Sequence, residues 1–206
     1  MKKYKTNLFI ILGLLLLAAA LVLTGCILFE ENRAEKLSLS AVAELIELIE
    51  SQDESKDNTA NPNEIPEYIL NPDMKMPVKK INGMDYIGVL RVPALNLKLP
   101  VLNKWSYDNL TVSPCRYIGS VYLNNLIIAA HNYRSHFAYL RELQQGDSVS
   151  FTDMNCNRFN YEVVETEILL PEQVDEMKSG DWDLTLFTCT FGGEYRITVR
   201  CKLVNS

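Results

Sequence analysis

The segment from Leu8 to Phe29 (LFIILGLLLLAAALVLTGCILF) is almost entirely apolar. As a helix of roughly 20 residues rising about 1.5 Å each, it matches the ~30 Å hydrocarbon core of a bilayer. Lipid offers no partner to a backbone amide, so a run of this kind spans as a helix. Lys2, Lys3 and Lys5 precede it, and Glu30 and Glu31 follow. The positive-inside rule then leaves residues 1–7 in the cytoplasm, makes 8–29 a transmembrane signal-anchor, and puts everything beyond Phe29 outside the cell. Two other readings compete with the anchor. A cleaved secretory signal calls for a shorter apolar core and a small-x-small site. Leu23-Thr24-Gly25-Cys26 also fits a bacterial lipobox, in which cleavage leaves Cys26 as a lipid-bearing terminus, although Ile27-Leu28-Phe29 prolongs the apolar run past that cysteine. Anchor and lipoprotein alike tether the rest of the chain outside.

Beyond the anchor, residues 30–77 read as an extracellular helix and flexible linker. Arg33 to Gln52 places Leu39, Val42, Leu45, Ile46 and Ile49 at helical spacing, a short amphipathic helix that reads first as a spacer, with its apolar stripe packing on the domain or lying at the membrane surface as the alternatives. Asp53 to Pro66 is polar and reads as a linker. Residues 78–206 form the one folded domain that a 206-residue chain with such a leader allows. The balance of 26 Asp and Glu against 20 Lys and Arg, with no basic block in the body of the chain, argues against nucleic acid as a partner. Five cysteines without a CxxC pair, and two histidines without metal-ligand spacing, form neither a disulfide framework nor a zinc site.

Within the domain the apolar pattern has period two. Tyr86 to Val92, Leu95 to Val101, Arg116 to Leu123, Leu126 to Ala130, Ser148 to Thr152, Arg158 to Ile168, Asp183 to Cys189 and Tyr195 to Leu203 read as strands. Short helical pieces are expected at Ser106–Leu110, Ser135–Leu143 and Pro171–Lys178. Short strands separated by turn residues predict a mainly β fold, a closed or nearly closed barrel. In the last strand Tyr195, Ile197, Val199, Cys201 and Leu203 face inward; in the strand before it Leu184 and Leu186 do so, which turns Cys189 outward.

A thiol at a strand end, a glycine turn and an arginine opening the next strand make a plausible nucleophile site. It needs an imidazole and donors for an oxyanion. His131 directly follows the strand Leu126–Ala130, a position better fixed than that of His136, which is expected at a surface or helix-packing position. Arg200, on the same strand face as Arg196, reads as a solvated residue. Cys201, Cys115 and Cys156 read as small packing residues.

These segments resemble the sortase family. Thr185-Leu186-Phe187-Thr188-Cys189 looks like its TLxTC signature, and Arg196-Ile197-Thr198-Val199 resembles the arginine-bearing strand that follows it. Ala129-Ala130-His131-Asn132, with Phe137-Ala138-Tyr139-Leu140 and Gly146-Asp147, resembles the histidine segment, and Ile87 to Pro93 the opening strand. Several motifs in order are more specific than any one of them. The resemblance implies an eight-stranded barrel with short helices, membrane-anchored on the outer face of a Gram-positive-type bacterium, and a cysteine transpeptidase. Cys189 would attack an LPxTG-like sorting signal of exported proteins and form a thioester. His131 would serve as acid and then base, and Arg196 would hold substrate and oxyanion. An amine, of a peptidoglycan precursor or a pilin lysine, would resolve the thioester. Thr188 and Thr190 would contact substrate. No metal or other cofactor is required, although some members use calcium as an activator. Asn132 is reminiscent of the class B group, while the segment from Ile168 to Asp183 is short for its helical insertion. A non-catalytic, membrane-tethered barrel that binds peptide or wall material is the alternative; a wall L,D-transpeptidase lacks support, because no His-Gly-Cys type run is present.

Overall fold

The computed structural model describes residues 2–57 and 65–204. Its sheet contains β1 (Lys79–Ile81), β2 (Met84–Val92), β3 (Leu97–Leu102), β4 (Cys115–Ile118), β5 (Leu126–Ala129), β6 (Ser148–Asp153), β7 (Arg158–Leu169), β8 (Leu184–Cys189) and β9 (Arg196–Leu203). The neighbour order is β1-β2-β3-β4-β5-β8-β9-β7-β6, and β6 pairs back onto β2. That pairing closes the eight strands β2 to β9 into a barrel without open edges. β1 is a short added arm that pairs with β2 at Lys79↔Tyr86 and Ile81↔Met84. Closure depends on Gly88, which follows a bulge in β2: a side chain there would collide with the Thr152 carbonyl and the Phe151 ring of β6.

The barrel is filled by the alternating apolar positions, with Leu90, Leu126, Ile128, Phe151, Leu184, Leu186 and Val199 fully buried. Tyr195 departs from the expected inward set: it belongs to the turn before β9 and is 43% exposed. The opposite face of β9 is covered at its middle. The β7–β8 connection, carrying α4 (Val174–Lys178), lies against it and buries Thr198 and Arg200.

Two expected elements take other forms. The stretch expected as one strand from Arg116 to Leu123 ends at Ile118, turns at Gly119 (φ 81°) and continues as a 3-10 turn over Val121–Leu123. Ser135–Leu143 is a series of turns with a 3-10 segment at Leu140–Glu142 instead of an α-helix. The His136 and Ala138 amides both donate to the Tyr133 carbonyl, which tightens the chain and still lets Phe137, Leu140 and Leu143 plug the barrel.

The N-terminal half of the leader is not separated from the amphipathic piece: α1 (Lys2–Asp57) is one uninterrupted helix. From Phe9 to Phe29 it is exposed and apolar, and an 18-residue window reaches a mean hydropathy of 2.8. Further along, Ala34, Ser38, Ala41, Val42 and Leu45 form its buried face, whereas Leu39, expected in that stripe, is exposed. Leu45 and Ala41 pack with Tyr86, Val89, Leu102 and Ala129 on the outer wall of the barrel. Residues 58–64 of the expected linker lie outside the described residues. After them, α2 (Glu67–Leu70) stacks Tyr68 on Tyr122 with ring centroids 5.0 Å apart, and Met76 joins the core.

Candidate active site

β5 and β8 run parallel, with Ala129 opposite Phe187, so the residues after them emerge at the same end of the barrel. One of those residues is His131 and the other end point is Cys189. β9 returns antiparallel from that end, where Cys189 pairs with Arg196. Two segments far apart in sequence, the end of β5 and the β8–β9 hairpin, therefore meet in a groove of about 210 Å³ lined by His131, Cys189 and Arg196 together with Ala130, Tyr117 and Phe187. A larger hollow of about 550 Å³, around Tyr68, Tyr122 and Arg158, lies at the other end of the barrel and contains neither thiol nor imidazole.

Cys189 faces outward, as its parity requires, and is partly buried. The other barrel cysteines differ in setting. Burial pushes the thiols of Cys115 and Cys201 up to about 12, so they remain protonated packing groups. Cys156 adopts φ 65° in the β6–β7 turn and donates its thiol to the Ile49 carbonyl of α1. No disulfide joins cysteines among the described residues.

His131 is half-buried, and burial lowers its proton affinity; the nearby Glu30 carboxylate of α1 acts in the opposite direction. Its ring leans on Tyr133, centroid to centroid 4.9 Å, and Tyr133 in turn contacts His136 at 5.5 Å. His136 is neither a surface residue nor part of a helix. It is fully buried, neither ring nitrogen has a partner, and burial lowers its pKa to about 4.

Arg196 is held by the turn it follows, its Nη1 donating to the Gly193 and Tyr195 carbonyls at 3.0 and 3.2 Å. Gly192 and Gly193 take φ 89° and 78°, values that an L side chain resists, which explains the glycine pair after Phe191. Thr190 closes the same turn: its amide donates to the Tyr195 carbonyl, and its hydroxyl accepts from the Tyr195 amide. Thr188 lies inside the wall instead of in the groove. It is 2% exposed and its hydroxyl donates to the Ala130 carbonyl at 2.9 Å, which ties the end of β8 to the residue preceding His131.

Sequence reasoning missed two parts of the site. Trp105, Tyr117 and Phe187 form an edge-on aromatic wall, with centroids 5.8 and 5.3 Å apart. α3 (Tyr107–Leu110), capped by the Ser106 hydroxyl, supports it. Arg200, read as solvated, is buried beneath α4: it pairs with Glu167 at 2.6 Å and donates to the Met177 and Glu176 carbonyls and the Thr185 hydroxyl. Met177, held in this way, lines the groove. Among the described residues, no group of three or more His, Cys, Asp or Glu comes together that could hold a metal ion.

A closed barrel with a cysteine, a histidine and an arginine delivered to one groove by β8, β5 and β9 is the frame of a thiol-dependent acyl-transfer enzyme. The Sortase domain family model matches residues 90–204, more than half of the chain. The chain therefore belongs to the sortase family of cysteine transpeptidases, which act in attaching proteins to the cell wall. It is similar to Sortase A of Bacillus anthracis, with 25% identity over 195 residues, 90% of this chain and 88% of the relative. Among solved structures it resembles the Clostridium perfringens sortase C determined with the C-terminal cell wall sorting motif, at 26% identity and a TM-score of 0.53, covering 81% of this chain and 91% of that one. The fold is also that of the Clostridium perfringens Sortase D5 transpeptidase, at a TM-score of 0.52 and 21% identity, covering 77% of this chain and 99% of that one.

Proposed function

We propose that the chain is a membrane-anchored transpeptidase that cleaves an LPxTG-like sorting signal and transfers the exported protein to an amine. The convergence of Cys189, His131 and Arg196 in one groove carries this reading. The Cys189 thiolate attacks the carbonyl carbon before the scissile bond, and Arg196 faces the oxygen on which negative charge develops. As the C–N bond breaks, His131 in its protonated form gives its proton to the departing amine and the thioester remains. The acceptor amine then attacks the thioester; neutral His131 takes up its proton, and the thiolate leaves. The acceptor is a peptidoglycan precursor or a pilin lysine. The apolar part of α1 anchors the enzyme with its catalytic domain on the outer face, as Lys2, Lys3 and Lys5 before it and Glu30 and Glu31 after it favour.

The test uses the full chain in detergent with a panel of labelled sorting peptides and an amine acceptor. Cleavage and transfer are expected, both lost in Cys189→Ala and His131→Ala. No reaction with any peptide, together with inertness of Cys189 to thiol alkylation, overturns the proposal in favour of a non-catalytic binding barrel.

A further inference from the structure

Strand polarity distinguishes the two ends of the barrel. β9 begins at the groove and β7, its antiparallel neighbour, finishes there at Leu169↔Arg196. The β6–β7 turn therefore lies at the opposite end, and that turn is where the Cys156 thiol meets the Ile49 carbonyl of α1. Followed backward from Ile49, α1 stays docked through Leu45, Ala41 and Ala34. From Ile49 to Glu30 at ~1.5 Å per residue the helix covers about 29 Å, enough to run the height of the barrel. Glu30 consequently arrives at the groove end, where its charge acts on His131 and, with Glu31, on Tyr133. Beyond it the same helix is the exposed apolar segment ending at Phe29, so that segment leaves the barrel beside the groove.

The turn between β8 and β9 projects from this same end. At its tip Phe191 is 91% exposed, the most exposed large hydrophobic among the described residues. The turn is closed by Thr190 and Tyr195 without any use of the Phe191 ring. Tyr195 and, on the groove wall, Tyr107 are also exposed. Aromatic side chains favour the headgroup layer of a bilayer, where an apolar body and polar surroundings are both satisfied.

We propose that the groove opens onto the membrane surface, with Phe191 inserted in the interfacial layer, so that the acyl donor is taken with its scissile bond just outside the hydrocarbon. This rests on the membrane-anchored reading of α1 given above. The docked helix sets the height of the groove over the lipid, and the turn bearing Phe191 is the second contact.

The experiment places the full chain in nanodiscs of phosphatidylcholine and phosphatidylglycerol, plain or with acyl chains brominated near the headgroup. Phe191→Trp is compared with Leu123→Trp, a half-exposed position at the far end of the barrel. The fluorescence added by Phe191→Trp is expected to lose at least about half its intensity to the bromines, and that added by Leu123→Trp to stay unchanged. Equal responses at the two positions overturn the proposal. Vesicle flotation separates the two readings: a chain that fails to float refutes the anchor itself, and one that floats with an unquenched probe at position 191 refutes only the membrane-facing groove.

Discussion

Replacing Arg200 by methionine tests whether the covered outer face of β9 is structural. The guanidinium makes four hydrogen bonds, to Glu167 at 2.6 Å, the Met177 carbonyl at 2.7 Å, the Glu176 carbonyl at 2.8 Å and the Thr185 hydroxyl at 3.1 Å. Methionine fills much of the same space and leaves those acceptors without their donor. Removing one member of a buried ion pair costs about 3–5 kcal/mol, chiefly by stranding the other. Glu167 is 34% exposed at its side chain and can rehydrate, so the lower end, about 3 kcal/mol, applies. For a chain of this size that lowers Tm by about 6–12 °C. The assay is near-ultraviolet circular dichroism of the full chain in detergent, with Glu167→Gln and the double variant beside it. The double variant should be more stable than the sum of the single losses by about 1 kcal/mol or more, because Glu167 no longer needs a partner. Since Met177 lines the groove, KM for the sorting peptide should rise more than kcat falls. A Tm change below about 2 °C, the size expected of a solvent-exposed pair, refutes the reasoning.

Two further outcomes follow from groups around His131. His136 has a folded pKa of about 4, below the ~6.5 of an unfolded chain, so the unfolded state binds more protons between these values. Its contribution to stability is complete above pH ~6.5 and is lost as pH falls toward ~4, by roughly 3 kcal/mol. Melting curves from neutral pH to pH 4.5 should show this acid slope, and His136→Leu should flatten it; an unchanged slope assigns the acid sensitivity elsewhere. Thr188→Val keeps the shape of the side chain but removes the donor to the Ala130 carbonyl, which costs about 1–3 kcal/mol. Because that bond fixes the residue before His131, kcat should fall with little change in KM, and a variant with unchanged kcat contradicts the positioning role.

The parts of this fold that the sequence made readable are those in which one face of a strand differs chemically from the other. Leu184 and Leu186 against Thr185 and Phe187 fix the orientation of β8, and with it the outward direction of Cys189. Alternation says which face meets the barrel interior; it says nothing about whether a connection covers the other face. That is why Arg200 looked solvated: its cover, like that of Thr198, comes from α4, in a connection whose placement depends on the very contacts Arg200 makes. The α1 face was obscured for a related reason. Ala34, Ser38 and Ala41 allow the helix backbone to approach the wall closely, and a pattern of small residues at i, i+4 and i+7 carries little hydrophobic signal, whereas Leu39 carries much and is exposed.

The same distinction separates the cysteines. Cys201 and Cys189 lie on adjacent strands, and each follows a residue of opposite parity, so residue type and periodicity rank them by facing alone. What makes them chemically different is the surroundings that facing selects. Inside the barrel, burial holds the Cys201 thiol up to about 12 and removes it from nucleophilic chemistry. Cys189 ends its strand at the rim, where β5 brings His131 and the returning β9 brings Arg196. The strand order β5-β8-β9 thus does the selecting: it places the histidine's strand on one side of the thiol and the arginine's strand on the other. Thr188 makes the selection rigid, since its buried hydroxyl joins the cysteine's strand to the histidine's at the last residue before each reactive side chain.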